Sequence, residues 1–133
     1  MFEARVRVIY GDTDQMGVVY YANYLRYFEL ARSELFRAHG GSYVEMEASG
    51  LMLPVVEATC RYQAPARYDD LLLVGIEVRE VRRVTLTFAY QVRREAEEGT
   101  ICTGTTLHAC VGKNGRPARL PDWVARLVAP GSS

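Results

Sequence analysis

The sequence predicts an α+β domain in which an antiparallel sheet of five strands curls around one long helix. Three observations predict it. An alternating run opens the chain, a strongly apolar helical run follows, and four further strand-like runs come after that, joined mostly by short links. The 133 residues are enough for one domain with a real core and too few for two. The domain is therefore expected to span 1–133, with a loose tail from about 129 to 133.

In residues 2–10, Phe2, Ala4, Val6, Val8 and Tyr10 alternate with Arg5 and Arg7, the pattern of a half-buried strand. Gly11 to Gly17 is a polar, turn-rich loop. Residues 24–38 then place Tyr24, Tyr27, Phe28, Ala31, Leu35 and Ala38 at helical spacing, with Arg26, Arg32, Ser33 and Arg37 on much of the other side. Leu25, Leu30 and Phe36 widen that apolar face, so a sheet is expected to wrap the helix. Asn23 suits its N-cap and Gly40 the position just past its end. Ser42 and Glu45 form a capping box for a short second helix, which Gly50 would close.

Strand-like runs follow near 54–63, 70–81, 84–94 and 100–112. The third alternates most clearly, with Val84, Leu86, Phe88, Tyr90 and Val92 against Thr85, Thr87 and Gln91. Hairpin links are expected at 81–84 and 95–99, a turn at Asn114–Pro117, and a short helix from Pro121. A half-wrapped sheet leaves edges open, so self-association is expected.

Sixteen basic residues balance sixteen acidic ones, so no net field draws the chain to nucleic acid or to an anionic membrane. Lys113 is the sole lysine; arginine carries the other positive side chains. No run approaches the roughly 18 apolar residues of a membrane span, and the N-terminus does not resemble a signal peptide. Cys60, Cys102 and Cys110 are odd in number and lack a Cys-x-x-Cys pair. If Cys102 and Cys110 share one strand they stand ~26 Å apart, beyond bonding reach. A cytoplasmic protein with reduced thiols and no membrane insertion is the resulting expectation.

The chemically informative segment is Tyr10-Gly11-Asp12-Thr13-Asp14-Gln15-Met16-Gly17-Val18-Val19-Tyr20-Tyr21-Ala22-Asn23-Tyr24. It sets two acids just before the start of the apolar helix. A helix start offers unspent N–H groups and a positive dipole end, which suit a developing oxyanion. A carboxylate beside them could activate water or attack an acyl carbon. Gly17 would let the backbone turn tightly there. Acids in such loops also cap turns and complement helix dipoles, and spacing alone does not choose between these roles. No metal is expected at Asp12 and Asp14, which have no histidine nearby and no calcium-loop pattern.

That segment, continuing through Leu25-Arg26-Tyr27-Phe28-Glu29-Leu30-Ala31-Arg32, resembles the 4-hydroxybenzoyl-CoA thioesterase family of hotdog-fold proteins, in particular the bacterial acyl-CoA thioesterases encoded alongside the Tol–Pal envelope system. The resemblance continues through Tyr62-Gln63-Ala64-Pro65-Ala66-Arg67-Tyr68-Asp69-Asp70-Leu71 and covers nearly the whole chain. It implies a hotdog domain that hydrolyses short-to-medium-chain or aromatic acyl thioesters of CoA, or of an acyl carrier protein. It implies a homodimer or homotetramer, and no cofactor, since coenzyme A belongs to the substrate. It makes Asp14 the catalytic carboxylate, acting as base or nucleophile, and the Tyr21 backbone N–H the donor to the thioester carbonyl. Gly17, Tyr20 and Tyr24 become substrate-binding residues, and Asp12 a loop organiser. Close relatives often carry histidine where this chain has Tyr21, a change that keeps the backbone donor and removes any imidazole.

Tyr24, Tyr27 and Phe28 suit an acyl pocket or plain core. Glu29 is a second candidate acid, because another hotdog branch uses a helix carboxylate; an ion pair with an arginine is its alternative. Arg61, Arg67, Arg82 and Arg83 are candidates for the CoA phosphates or simply solvated charges. His39 suits the last helical turn and His108 a packed strand position, so neither is expected to catalyse. Cys60 and Cys110 lack a partner base. Two other functions remain open: a non-catalytic acyl-binding protein, and a hotdog dehydratase or hydratase, which would need a histidine absent from this segment.

Overall fold

The structure is a computed structural model and describes residues 1–39 and 43–127. Strand β1 (Phe2–Arg7) leads through a 3-10 turn (Tyr10–Asp12) to helix α1 (Asn23–Ala38) and the short α2 (Tyr43–Ala48). Then come β2 (Val55–Tyr62), β3 (Leu71–Val81), β4 (Thr85–Arg94), β5 (Thr100–Ala109) and α3 (Asp122–Ala125). Every strand pairing is antiparallel, in the order β1-β3-β4-β5-β2. The link from Val81 to Thr85 is short enough for a direct hairpin, closed by the Arg82 N–H to the Thr85 carbonyl at 2.9 Å.

One face of the sheet is dry. Leu72, Val74, Ile76 and Val78 of β3, with Leu86, Phe88, Tyr90 and Val92 of β4, are buried against Tyr24, Tyr27, Phe28, Ala31, Leu35 and Phe36 of α1. The helix sits close because β5 offers no side chain beneath it at Gly104. A Cβ there would lie 2.6 Å from the Phe28 ring and 2.4 Å from the Thr59 carbonyl oxygen. Phe28 instead stacks on Tyr90, with centroids 4.1 Å apart and planes 5° from parallel.

The structure departs from the sequence expectations in five places. β1 ends at Arg7 rather than near residue 10, because the Asp12 carboxylate captures the Ile9 N–H and turns the chain; Tyr10 ends 78% exposed. Asn23 is the first helical residue and not the cap; Ala22 holds that position and the Asn23 amide donates to the Asp12 carbonyl at 2.8 Å. Leu25 and Leu30 are exposed, so the apolar stripe is narrower than expected, while Phe36 is buried. Arg32, expected on the solvent side, is buried. β5 also stops at Ala109, three residues short of the run's end, and Val111 bridges to both Met52 and Pro117 instead. Gly40, the Ser42 half of the capping box, and the tail from Pro130 to Ser133 lie outside the described residues. The second helix is present, and Gly50 follows it with φ of +92°.

Burying Arg32 requires partners, and one lies on the sheet. Its Nη1 donates to the Tyr90 hydroxyl at 3.0 Å. The Tyr90 and Thr106 hydroxyls are 2.6 Å apart, Thr106 Oγ1 is 2.8 Å from His108 Nε2, and His108 Nδ1 is 3.0 Å from the Leu53 carbonyl. Guanidinium can only donate and a carbonyl can only accept, so both ends fix the direction of this chain. Tyr90 donates to Thr106, Thr106 to Nε2, and the neutral imidazole donates from Nδ1. Burial, with the nearby Arg32 charge, lowers the His108 pKa to about 4. The packed role expected of His108 is what the structure shows.

β2 forms one edge of the sheet. It is exposed along nearly its whole length, with Val55 and Val56 50% and 62% exposed.

Candidate active site

The acid loop is a tight hairpin built on its own backbone. Asp14 N–H donates to the Val18 carbonyl and Gly17 N–H to the Asp14 carbonyl, each at 2.9 Å, while Thr13 and Val19 bridge across the loop. This turn needs a left-handed residue, and Gly17 supplies it with φ of +79°. Asp14 Oδ1 accepts the Met16 N–H at 2.9 Å, which orients the carboxylate. Its Oδ2 has neither hydrogen bond nor ion pair among the described residues.

Asp12 differs at every point. It is 5% exposed, ion-paired with Arg26 and hydrogen-bonded by the Tyr27 hydroxyl at 2.9 Å and the Ile9 N–H at 3.3 Å. Its carbonyl accepts the Tyr20 N–H at 2.9 Å as well as the Asn23 side chain. Asp12 thus ties the incoming strand, the far side of the loop and the helix start together, which is the organiser role expected of it.

The helix start is where backbone donors remain unspent. The N–H groups of Tyr20, Asn23, Tyr24 and Leu25 all have acceptors, whereas those of Tyr21 and Ala22 have none among the described residues. Tyr21 and Asp14 line the same open cleft of about 360 Å³ with Met16, Val18, Val19, Tyr24, Tyr62, Gln63, Ala64 and Pro65. The 63–66 wall is fixed by Gln63 N–H to the Ile101 carbonyl at 2.9 Å, Val19 N–H to the Ala66 carbonyl at 2.8 Å, and Arg94 to the Pro65 carbonyl. An open carboxylate oxygen, a free amide donor and a mostly apolar wall can hold an acyl group and attack its carbonyl.

Residues 8–128 match the thioesterase-like superfamily. The chain belongs to that superfamily. Among its relatives, the acyl-CoA thioesterase YbgC of Haemophilus influenzae is 40% identical over 126 residues, covering 92% of this chain and 90% of the relative. The acyl-CoA thioester hydrolase YbgC of Escherichia coli O6:H1 is 36% identical over 125 residues, covering 93% and 92% respectively. The crystal structure of the DHNA-CoA thioesterase from Staphylococcus aureus is 30% identical, with a TM-score of 0.86 over 92% of this chain and 85% of that one. The sheet around α1 is the hotdog fold that the sequence predicts.

In this thioesterase-like chain the other expected site residues scatter. Tyr24 reaches the cleft, and burial raises its phenol pKa to about 12. Tyr20 is half-exposed with its ring 4.7 Å from that of Tyr21, and neither Tyr20 nor Gly17 lines the cleft. Tyr27 and Phe28 are core residues. Glu29 lines a different cleft of about 490 Å³, with Arg32, Ser33, Glu47, Met52 and Val55 among its walls. None of the four candidate arginines lines the Asp14 cleft; Arg82 pairs with Glu80, and Arg67 lies two residues beyond Pro65. No histidine lines it either: His39 Nδ1 meets the Leu35 carbonyl at 3.0 Å and His108 is buried. Among the described residues no group of three or more His, Cys, Asp or Glu could hold a metal, and no helix is long and apolar enough to cross a membrane. All three cysteines are free.

Sequence reasoning assigned no role to Tyr62. Its ring packs against Tyr24 at 5.5 Å and edge-on to Tyr21 at 6.2 Å, and its hydroxyl donates to the Tyr21 carbonyl at 3.1 Å. The only signal was its place at the head of the second family-like segment.

Proposed function

We propose that this chain hydrolyses acyl-CoA thioesters, of short-to-medium-chain or aromatic acyl groups, to free acid and CoA. Asp14 is the reactive carboxylate and the Tyr21 N–H is the oxyanion donor. One observation carries the assignment: of the two acids in Asp12-Thr13-Asp14, only Asp14 keeps an open oxygen, and it shares a cleft with the unspent Tyr21 amide. As a base, Asp14 takes a proton from water while the hydroxyl adds to the carbonyl carbon. As a nucleophile, it adds directly and water later opens the anhydride. In both routes the carbonyl oxygen gains charge at the Tyr21 N–H, and the CoA thiolate departs with little acid assistance because thiols are already acidic.

The chain works as a homodimer or homotetramer in the cytoplasm. The exposed β2 edge with Val55 and Val56 supports pairing with a second copy, and the free thiols suit a reducing compartment.

A panel of acyl-CoAs read by release of free thiol tests the assignment. Asp14→Asn keeps an acceptor for the Met16 N–H, so its melting midpoint should match wild type while kcat/KM falls about 10²–10⁴-fold. Unchanged turnover in that variant would remove Asp14 from the reaction. Wild-type protein that retains acyl-CoA without releasing thiol would mark an acyl-binding protein instead.

A further inference from the structure

The Tyr21 peptide is held from two sides. Upstream, the Tyr20 N–H is tied to the Asp12 carbonyl at 2.9 Å. Downstream, the Tyr21 carbonyl accepts a long 3.4 Å contact from the Tyr24 N–H and a firmer bond at 3.1 Å from the Tyr62 hydroxyl. The free Tyr21 N–H lies between these two ties. Its direction is set by the dihedral angles of Tyr20 and Tyr21, so both ties are needed to aim it. Tyr62 reaches there from the last residue of β2, 41 residues along the chain. Partial burial raises the phenol's pKa, so it remains a donor at neutral pH.

We propose that Tyr62 is a positioning residue for thioester hydrolysis: its hydroxyl holds the Tyr21 peptide so that the Tyr21 N–H points at the developing oxyanion, while its ring walls the acyl cleft. This rests on the assignment of the Tyr21 N–H as oxyanion donor. A donor matters in proportion to its alignment with the charge that forms in the transition state, so loosening it costs turnover more than binding. The ring and the hydroxyl therefore separate. Tyr62→Phe removes the tie and keeps the wall, and Tyr62→Leu removes both.

The test uses the purified full chain with butanoyl-CoA and benzoyl-CoA as substrates, and the thioether butyl-CoA as a non-hydrolysable ligand that has no carbonyl. Tyr62→Phe should lower kcat roughly tenfold on both substrates, leave KM within about twofold, and leave butyl-CoA affinity unchanged. Counting butyl-CoA sites by calorimetry normalises kcat to folded, binding-competent protein, so a fold defect cannot imitate the loss. Tyr62→Leu should show the same kcat loss plus a raised KM. Unchanged kcat in Tyr62→Phe, or a loss confined to benzoyl-CoA, overturns the positioning role. If Asp14→Asn is inactive and Tyr62→Phe fully active, the Tyr62 role alone fails. If wild type is inactive on every acyl-CoA, the hydrolase assignment fails and takes Tyr62 with it.

Discussion

Two polar clusters adjoin helix α1, and their difference separates a structural role from room for a ligand. Midway along it, Arg32 enters a chain through Tyr90, Thr106 and His108 to the Leu53 carbonyl, with a fixed donor direction at every step. Just ahead of its first turn, Asp14 Oδ2 and the Tyr21 N–H have no partner among the described residues and lie beside a cleft. The first cluster is buried and closed, so it holds the helix to the sheet. The second is half-exposed and incomplete, so it has capacity for a ligand. Histidine is the commonest acid–base group in enzymes, yet here His108 belongs to the closed cluster with Arg32.

Breaking the closed cluster should cost stability and spare chemistry. Thr106→Val keeps the shape but removes the hydroxyl that accepts from Tyr90 and donates to the buried His108 Nε2, a loss of about 2 kcal/mol. Chemical denaturation should show it, with kcat per folded molecule within about twofold of wild type. A comparable loss of kcat would mean that the two clusters are coupled.

Acid should find the same cluster. His108 has a pKa near 4 when folded against 6.5 ordinarily, so between those values the unfolded chain binds more protons. Stability from this group is therefore complete above pH 6.5 and lost as pH falls toward 4, by up to about 3 kcal/mol. Melting midpoints measured from pH 7 to pH 4 should fall, and His108→Gln should flatten that slope. An unaltered slope would place the acid sensitivity elsewhere.

The smallest expected effect sharpens the contrast at the open cluster. Gly17→Ala meets no atom within 4 Å, so only its positive φ is penalised, about 1 kcal/mol. Because Gly17 closes the turn that presents Asp14, kcat should fall as well. Gly115→Ala, also at positive φ but in the distant 114–117 turn, should cost similar stability with kcat unchanged.

The sequence made α1 and the strands legible because bulky apolar residues recur at fixed local spacing. It misplaced Arg32 because periodicity sets it at the border of the apolar stripe and its sheet partner Tyr90 lies 58 residues away. Asp12 and Asp14 look alike in the chain. They part only in space, where Arg26 and Tyr27 fold back onto Asp12, and family resemblance rather than spacing singled out Asp14. Asn23 has the chemistry of a cap, but the Asp12 carbonyl takes its side chain and the helix starts one residue earlier than it would. Tyr62 joins the cleft through a contact spanning 41 residues, which no local pattern encodes.

Gly104 sets how deep α1 sits, and the acid loop inherits that depth. A methyl group at this point would act as a wedge under Phe28, prying the helix off its bed. The first turn, only a few residues upstream on the same rigid rod, would swing with it and shift the Tyr21 amide relative to Asp14. An alanine in β5, outside the lining of the Asp14 cleft, would then read out as a slower enzyme.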